Sequence, residues 1–273
     1  MSGNNLTFII PIRIDSYHRE RNADISIRYL RKIFPDSRII VKENDSTSKL
    51  PGTLKTIVDY IFEYSEDKIF HRTRILNEML HLSESVITVN YDVDVILPIS
   101  SYIESERLII EDDYDVIYPF RPEGSILKTH IDDFAINRNW DFIAQHLVEW
   151  GIPRTLPWIY PYPGNQIWGY VQFFKTESYR KGFMENENFV SWGPEDGERY
   201  YRFETLGFKI GRIEDFAYHI EHTRDYNGNP ENPHYKNNND LYEKLKTFNR
   251  DQLIDYYQQQ VYLEKYCQKI YNL

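Results

Sequence analysis

The sequence predicts an α/β fold with a mixed, mostly parallel central sheet flanked by helices. Over the first 120 residues, apolar runs of strand length alternate with stretches whose apolar residues recur at helical spacing. The 41% hydrophobic content supplies a core, which excludes a disordered chain. No internal repeat or linker divides the 273 residues, so we expect one domain.

The first elements follow from the apolar pattern. Leu6–Ile12 (LTFIIPI) is a mostly apolar run that ends before charged residues, which is typical of a buried parallel strand. A helix is predicted over Arg19–Phe34 because apolar residues recur at helical spacing until a Pro-Asp turn. Ser37–Lys42 (SRIIVK) predicts a second strand that the polar run 43–46 breaks, and Asp67–Leu82 predicts a helix with one apolar face.

The rest of the chain is less regular. The remaining predicted elements are strands over Ser85–Val95 and Asp115–Pro119, a helix over Asp132–Trp150, strands over Tyr170–Lys175 and Phe208–Ile213, a polar loop over Asn227–Asp240 and a long helical stretch over Leu241–Leu273. Ligands of parallel sheets bind at the carboxyl ends of the strands. We therefore expect the polar residues after Ile12, Val41 and Asn90 to lie near a ligand.

Composition excludes several classes of protein. The net charge of −10 argues against a protein that binds nucleic-acid phosphates, which would carry a basic excess. No apolar run approaches the roughly 20 residues of a transmembrane helix, and the N-terminus lacks the pattern of a signal peptide. The single cysteine, Cys267, excludes an intrachain disulfide. These features predict a cytoplasmic protein.

Asp92 and Asp94 end the third predicted strand. Because strand side chains alternate, the two carboxylates should share one face while Val93 points into the core. Such a pair repels itself unless a cation lies near, and Mg²⁺ or Mn²⁺ prefers oxygen ligands. A strand that simply enters an acidic turn explains the pattern as well.

The stretch 192–198 (WGPEDGE) is an acidic cluster ahead of a predicted helical stretch. Its acids could cap that helix. A tryptophan beside paired carboxylates also suits a sugar site, where the sugar stacks on the indole and a carboxylate accepts a hydroxyl proton. Both interpretations stay open at this point.

His219 and His222 would share a face on a helix but not on a strand. Imidazole suits Mn²⁺ or Zn²⁺, although three of the eight histidines fall between residues 219 and 234, so their clustering could be accidental. Arg13, after the first strand, and Arg72, at a helix start, could bind a diphosphate or form ordinary salt bridges.

In their order along the chain, these motifs resemble the GT-A glycosyltransferases, and most closely the beta-1,4-galactosyltransferase-like group (the galactosyltransferase C-terminal domain). The matching stretches are Pro11-Ile12-Arg13 followed by Tyr17-His18-Arg19, Phe70-His71-Arg72-Thr73-Arg74-Ile75-Leu76-Asn77, Asp92-Val93-Asp94, Trp168-Gly169-Tyr170-Val171, Trp192-Gly193-Pro194-Glu195-Asp196, and His219-Ile220-Glu221-His222 with Arg224 and Asp225 behind it. The departures are the displaced Arg19, the replacement of family glycines by Tyr170 and Pro194, and His219 in place of a methionine.

The resemblance implies a metal-dependent inverting transferase that moves galactose or N-acetylgalactosamine from a UDP-sugar to a glycan hydroxyl. Asp94, His219 and His222 would bind Mn²⁺ or Mg²⁺. Asp196 would be the catalytic base, with Glu195 holding the acceptor or orienting the base. The residues implied at the nucleotide-sugar are Pro11, Arg13, Arg72, Asp92, Val93, Trp192 and Gly193.

The same resemblance implies how the chain is divided and where it works. It places a nucleotide-binding half at about 1–120, an acceptor half at about 121–240 and a C-terminal helix, which could join a partner, at 241–273. Segments 152–164 and 223–235 are the expected lids, and Ile167 is expected to leave room for an N-acetyl group. We expect a cytoplasmic role in polysaccharide biosynthesis, without nucleic-acid partners.

Two other functions use the same residues. A non-catalytic sugar- or nucleotide-binding module derived from a transferase would keep the cleft and its aromatic side chains. A His/Asp metallohydrolase would bind its metal without a nucleotide. The transferase is favoured because the acidic and imidazole residues are all present.

Overall fold

A computed structural model describes residues 5–121, 126–129, 139–152, 167–222 and 231–266. Its strands are β1 (Leu6–Ile12), β2 (Arg38–Asp45), β3 (Asp59–Tyr64), β4 (Ile87–Tyr91), β5 (Val95–Ile96), β6 (Val116–Tyr118), β7 (Ile126–Thr129), β8 (Val171–Lys175), β9 (Ile210–Arg212) and β10 (Ala217–Ile220). Its helices are α1 (Tyr17–Ile33), α2 (Gly52–Lys55), α3 (Arg72–Leu82), α4 (Ile99–Ile110), α5 (Trp140–Trp150), α6 (Thr176–Lys181), α7 (Glu195–Leu206), α8 (Tyr235–Leu245), α9 (Arg250–Gln258) and α10 (Val261–Glu264).

The main sheet has the strand order β3-β2-β1-β4-β8-β6-β9. Strands β3, β2, β1 and β4 are parallel, whereas β8 is antiparallel to both of its neighbours. The strand order reverses between β1 and β4, because β2 and β3 lie on one side of β1 and β4 lies on the other. A crevice for a ligand is expected at the carboxyl ends of the strands at such a reversal.

A second, three-stranded sheet has the order β5-β10-β7. Strand β5 directly follows the Asp92–Asp94 turn and pairs antiparallel with β10 through His219 and Val95. This pairing brings the acidic turn beside the histidine segment, although about 125 residues separate them in the sequence.

The core forms around β1, all seven residues of which are buried. Helix α1 begins after Ser16, whose side chain accepts the backbone N–H of Arg19 at 3.2 Å, and it packs against α5. The start of α1 therefore lies close to the carboxyl end of β1, where the crevice opens.

Strand β2 is longer than predicted, because residues 43–45 continue it instead of breaking it. They pair with β3, an exposed edge strand that the sequence pattern did not reveal. Buried Glu43 accepts the backbone N–H groups of Lys49 and Leu50 at 2.9 and 3.2 Å, so the carboxylate is satisfied inside the fold. Helix α3 also starts later than predicted, because Asp67 accepts the N–H of Ile69 in a local turn.

The predicted strand over 85–95 is divided. It ends at Tyr91, and the next residues turn, with the N–H of Val95 donating to the carbonyl of Asp92 at 3.2 Å. The prediction that Asp92 and Asp94 share one face of a strand was therefore wrong, because they occupy a turn.

The C-terminal region is helical but forms α8, α9 and α10 instead of one long helix. A capping box between Asn249 and Gln252 starts α9 anew, which explains one of the breaks. Helix α8 also replaces part of the polar loop predicted over 227–240. The lid segments are described only at residue 152 and at 231–235, and Arg224, Asp225 and Cys267 lie outside the described residues.

Candidate active site

One cavity of about 530 Å³ opens at the carboxyl ends of β1 and β4. It collects every residue that the family resemblance implied as a metal ligand, a nucleotide-sugar contact or a catalytic group. These residues are Pro11, Arg13, Arg72, Asp92, Val93, Asp94, Trp192, Gly193, Glu195, Asp196, His219 and His222. They come from widely separated parts of the chain, so their convergence follows from the topology and not from closeness in sequence.

The three expected metal ligands form a compact group. Asp94, His219 and His222 can each offer a ligand atom within 4.8 Å of the others. His222 Nε2 lies 2.8 Å and His219 Nε2 lies 3.8 Å from Asp94 Oδ2. Ligand atoms bonded to one ion at about 2.0–2.2 Å lie within about 4.4 Å of each other, so small side-chain movements would complete such a site.

Electrostatics keep Asp94 ionised. Burial alone would raise the pKa of its carboxyl, but the hydrogen bond with His222 and the charges of His219 and Arg19 outweigh burial and hold the pKa well below its usual range. Asp94 Oδ1 is buried and has no hydrogen-bond partner among the described residues. An ionised carboxylate with a free buried oxygen is a suitable ligand for a cation.

Arg72, the first residue of α3, links Asp92 of the acidic turn to Glu195 and Asp196, the acidic pair at the start of α7. Its guanidinium donates to Asp92 Oδ1 at 3.0 Å and lies 3.6 Å from Asp196 Oδ1 and 3.8 Å from Glu195 Oε1. Burial opposes a charge at this position, but the three carboxylates outweigh it and raise the pKa of Arg72. One guanidinium cannot donate to every oxygen of three carboxylates, so some of these oxygens remain available to a ligand.

Glu195 and Asp196 begin α7 and differ in environment. Burial first, and then the charge of Asp196, raise the pKa of Glu195 to about 8, and Glu195 Oε2 is buried without a hydrogen-bond partner in the described part of the chain. Asp196 is more accessible, with 24% of its side chain exposed. The pair therefore combines a carboxyl that favours its protonated form with a more solvated acid.

Arg199 fixes the orientation of Asp196. It is fully buried, donates to Asp196 Oδ1 at 2.6 Å, and pairs on its other side with buried Glu185 at 2.8 Å. The other oxygen, Asp196 Oδ2, faces Gly169, where an added Cβ would lie only 2.8 Å from it. The motif placed Asp196 in the site but gave no signal for Arg199, because Arg199 meets its partner Glu185 only in the folded chain.

Trp192 contributes an aromatic wall. Its ring stacks on Tyr235 of α8, with ring centroids 5.0 Å apart and planes at 20°. The next residue, Gly193, packs against α8 so closely that an added Cβ would meet Asn238 at 2.7 Å. Helix α8 therefore supports the segment that carries Trp192 and Gly193.

Arg13 lines the cavity, but much of its guanidinium is engaged within the protein. It donates to the carbonyl and side chain of Asn44 at 2.8 and 2.7 Å and to the carbonyl of Lys68 at 2.9 Å. Asn44, one of the polar residues that directly follow Val41, thus contacts Arg13, but the residues 42–46 do not line the cavity themselves.

Tyr170, where the resembled family has glycine, has φ +71° and places its ring edge-on to His219 at 5.9 Å. A left-handed conformation is costly for a tyrosine, so this residue stores backbone strain next to the proposed metal ligands. Ile167, which was expected to border the sugar, does not line the cavity in the described residues.

The sequence analysis gave no individual role to several further residues of the cavity wall, although most of them lie within the motif stretches: Ile12, Asp15, Arg19, Phe70, Gly169, Tyr170, Pro194, Tyr235 and Asn239. Arg19 donates to Asp94 Oδ2 at 3.2 Å, so an arginine displaced in sequence still reaches the acidic turn. Its position in the first turn of α1 was the available signal. Tyr235 and Asn239 were missed because their segment was predicted to be a loop.

A family model described as the N-terminal domain of galactosyltransferase matches residues 155–224. The matched segment is similar to galactosyltransferases. It contains the acidic pair of α7 and both histidines, and it begins after the Asp92–Asp94 turn. The resemblance to glycosyltransferases drawn from the motifs is confirmed. No curated protein matches the chain.

Solved structures share the fold at low identity. S. aureus TarS matches with a TM-score of 0.50 and 13% identity, over 81% of this chain and 37% of that chain. S. aureus TarS 1–349 in complex with UDP-GlcNAc matches with a TM-score of 0.50 and 14% identity, over 83% and 60%. The catalytic domain of Drosophila beta1,4-galactosyltransferase 7 in complex with xylobiose matches with a TM-score of 0.44 and 13% identity, over 80% and 71%.

The chain thus spans less than two thirds of the length of the TarS structures. The predicted α/β architecture of the GT-A type is confirmed by this likeness and by the observed sheet. Among the described residues, none of the helices has the length and apolar character needed to cross a membrane.

Proposed function

We propose that this chain is a metal-dependent inverting glycosyltransferase that moves galactose or N-acetylgalactosamine from a UDP-sugar to a glycan hydroxyl. The observation that carries this proposal is the convergence of all the residues implied at the metal, at the nucleotide-sugar and in catalysis on one cavity at the reversal of strand order. The galactosyltransferase segment supports the reaction class. A neighbour in fold that was solved with UDP-GlcNAc supports testing UDP-sugars as donors.

Asp94, His219 and His222 would hold the metal. Two imidazole nitrogens with one carboxylate suit Mn²⁺ better than Mg²⁺, which prefers oxygen ligands throughout, and the free buried Oδ1 of Asp94 fits a cation. A divalent ion bound there supplies positive charge that offsets the charge developing on the UDP leaving group. Arg72 and Arg13 both line the cavity, where phosphate or ribose groups would meet them.

Asp196 accepts the proton in the proposed reaction. Arg199 holds Oδ1, so Oδ2 is the oxygen left to accept the proton of the acceptor hydroxyl as that hydroxyl attacks the anomeric carbon. The carbon–oxygen bond to UDP breaks on the opposite face, and the bonding pair leaves with the diphosphate. One displacement inverts the anomeric centre, so an α-linked donor gives a β-linked product.

Glu195 would orient the acceptor. Because its pKa is raised to about 8, its carboxyl is largely protonated at neutral pH and can donate a hydrogen bond from the unpartnered Oε2 to a sugar oxygen. Trp192, supported by Tyr235, would provide the platform on which a sugar ring stacks. These side chains bind and orient, whereas Asp196 moves the proton.

The proposal is tested with Asp196→Asn. We expect unchanged UDP affinity and a loss of turnover of at least about 100-fold, because the amide cannot act as the base. Turnover is measured as UDP release from a panel of UDP-sugars with Mn²⁺, first with water and then with candidate glycans as acceptor. The matched control is Asp240→Asn, which alters an exposed acid on α8 and should leave turnover unchanged. Equal UDP release by the wild type and Asp196→Asn would contradict the role of the base, and a wild type that binds UDP without turnover would favour a binding module.

A further inference from the structure

Helix α1 has a buried polar face that a helix packed in a core does not need for stability. Arg21, Asn22 and Ser26 are at most 3% exposed. Buried polar side chains are unfavourable unless they are hydrogen-bonded, so their partners show why the chain keeps them.

Two of these partners are the peptide groups directly before proposed metal ligands. Ser26 Oγ donates to the carbonyl of Val93 at 2.7 Å, which holds the peptide that leads into Asp94. Arg21 Nη2 donates to the carbonyl of Glu221 at 2.5 Å, which holds the peptide that leads into His222.

Asn22 connects the same helix to the strand between the two histidines. Its Nδ2 donates to the carbonyl of Ile220 at 2.9 Å, while its Oδ1 accepts from Arg21 Nε and Nη2 at 3.1 and 2.9 Å. The bond to Arg21 fixes the asparagine amide, because only the Oδ1 end can accept from a guanidinium. Arg21 and Asn22 thus act as one unit on the segment 220–221.

The two segments that carry ligands also contact each other. The backbone N–H of Ile220 donates to the carbonyl of Asp94 at 2.7 Å. This bond and the β5–β10 pairing fix how close the segments lie, but they do not fix the side of the turn that leads into Asp94 or the position of His222 beyond the end of β10. A metal site tolerates errors of only about 0.2 Å in ligand distance, so those two positions need separate restraint.

We propose that Arg21, Asn22 and Ser26 are positioning residues that set the distance from Asp94 to the two histidines and thereby the affinity for a divalent metal. The inference rests on the proposed function, because it takes these three side chains as metal ligands. It adds that α1, which contributes none of the three ligands, controls the geometry of the site.

The test measures Mn²⁺ affinity, from the disappearance of the free-ion signal in electron paramagnetic resonance, and does not depend on turnover. Ser26→Ala removes one hydroxyl with almost no change in volume, and Arg21→Met keeps the aliphatic stem. Each should raise the Kd for Mn²⁺ about 10-fold, as is typical when a residue that orients a metal ligand is lost. Ser26→Ala alone decides the outcome should Arg21→Met fail to fold.

The matched control is Tyr29→Phe. Tyr29 is a buried residue of α1 whose hydroxyl donates to the carbonyl of Leu97 at 2.9 Å, outside both ligand-bearing segments. Tyr29→Phe removes one buried hydrogen bond of the same kind and should change the Kd less than twofold. Wild-type affinity in Ser26→Ala, or equal weakening in Tyr29→Phe, would overturn this inference alone, whereas no Mn²⁺ binding by the wild type would overturn the proposed function as well.

Discussion

Gly169→Ala tests how closely the proposed base is held. A Cβ at this position would lie 2.8 Å from Asp196 Oδ2 and 3.6 Å from its Cγ. Ordinary contacts of this kind are longer than about 3.4 Å, so Oδ2 must move by roughly 0.6 Å or more. The side chain cannot move freely, because Oδ1 is held by fully buried Arg199 at 2.6 Å. Since a displacement of about 1 Å at a reacting group can lower the rate about 100-fold, we expect kcat to fall about 10-fold or more.

The assay is the initial rate of UDP release with Mn²⁺, together with UDP affinity and thermal unfolding. UDP affinity and Tm should change little, because Gly169 does not have a positive φ and alanine fits its backbone. The control is Gly52→Ala, since a Cβ at Gly52 has no neighbour within 4 Å. Equal kcat in the two variants would refute the reasoning, because the position of Asp196 would then not limit turnover.

Two further predictions concern the buried acids. Glu185→Gln leaves the buried guanidinium of Arg199 with Asp196 as its remaining carboxylate partner, so the free energy of unfolding measured with urea should fall by about 1–3 kcal/mol, with a loss of turnover. An unchanged stability would show that the pair of Arg199 and Glu185 is dispensable. Glu195 has a pKa raised to about 8, so the folded chain keeps a proton that the unfolded chain, with a carboxyl pKa of about 4.3, releases. Its contribution to stability is present below about pH 4 and is lost as the pH rises to 8. Urea unfolding at pH 5 and pH 8 should therefore show a smaller loss for Glu195→Gln than for the wild type, and equal losses would contradict the raised pKa.

The parts of the fold that could be predicted are those where a buried segment forms a continuous, mostly apolar run in the sequence. The bounds of β1 were predicted to the residue, because all of its side chains are buried and the apolar run has clear ends. β3 was missed because an edge strand with alternating exposure has no continuous apolar run. The turn at Asp92–Asp94 was missed because residues typical of strands, such as Tyr91 and Val95, lie on both sides of it and make the stretch look continuous.

The site could be predicted as a set of residues but not as a set of contacts. The order of the motifs identified residues that meet in one cavity. It did not show that Arg13 is engaged with Asn44, or that Arg199 and Glu185 hold Asp196, because these contacts depend on how distant segments pack. The expectation that two histidines join Asp94 stays a prediction about ligands, supported by their distances.

The most direct measurement of the central claim is UDP affinity by calorimetry, with Mn²⁺ and with EDTA, for the wild type, His222→Ala and His146→Ala. His146 lies exposed on α5, away from the cavity, and serves as the control. We predict that Mn²⁺ strengthens UDP binding at least 10-fold in the wild type and in His146→Ala, and that His222→Ala shows no such gain. UDP binding that is equally strong with EDTA, or a full gain from Mn²⁺ in His222→Ala, would contradict a metal held by Asp94 and the histidines at the diphosphate.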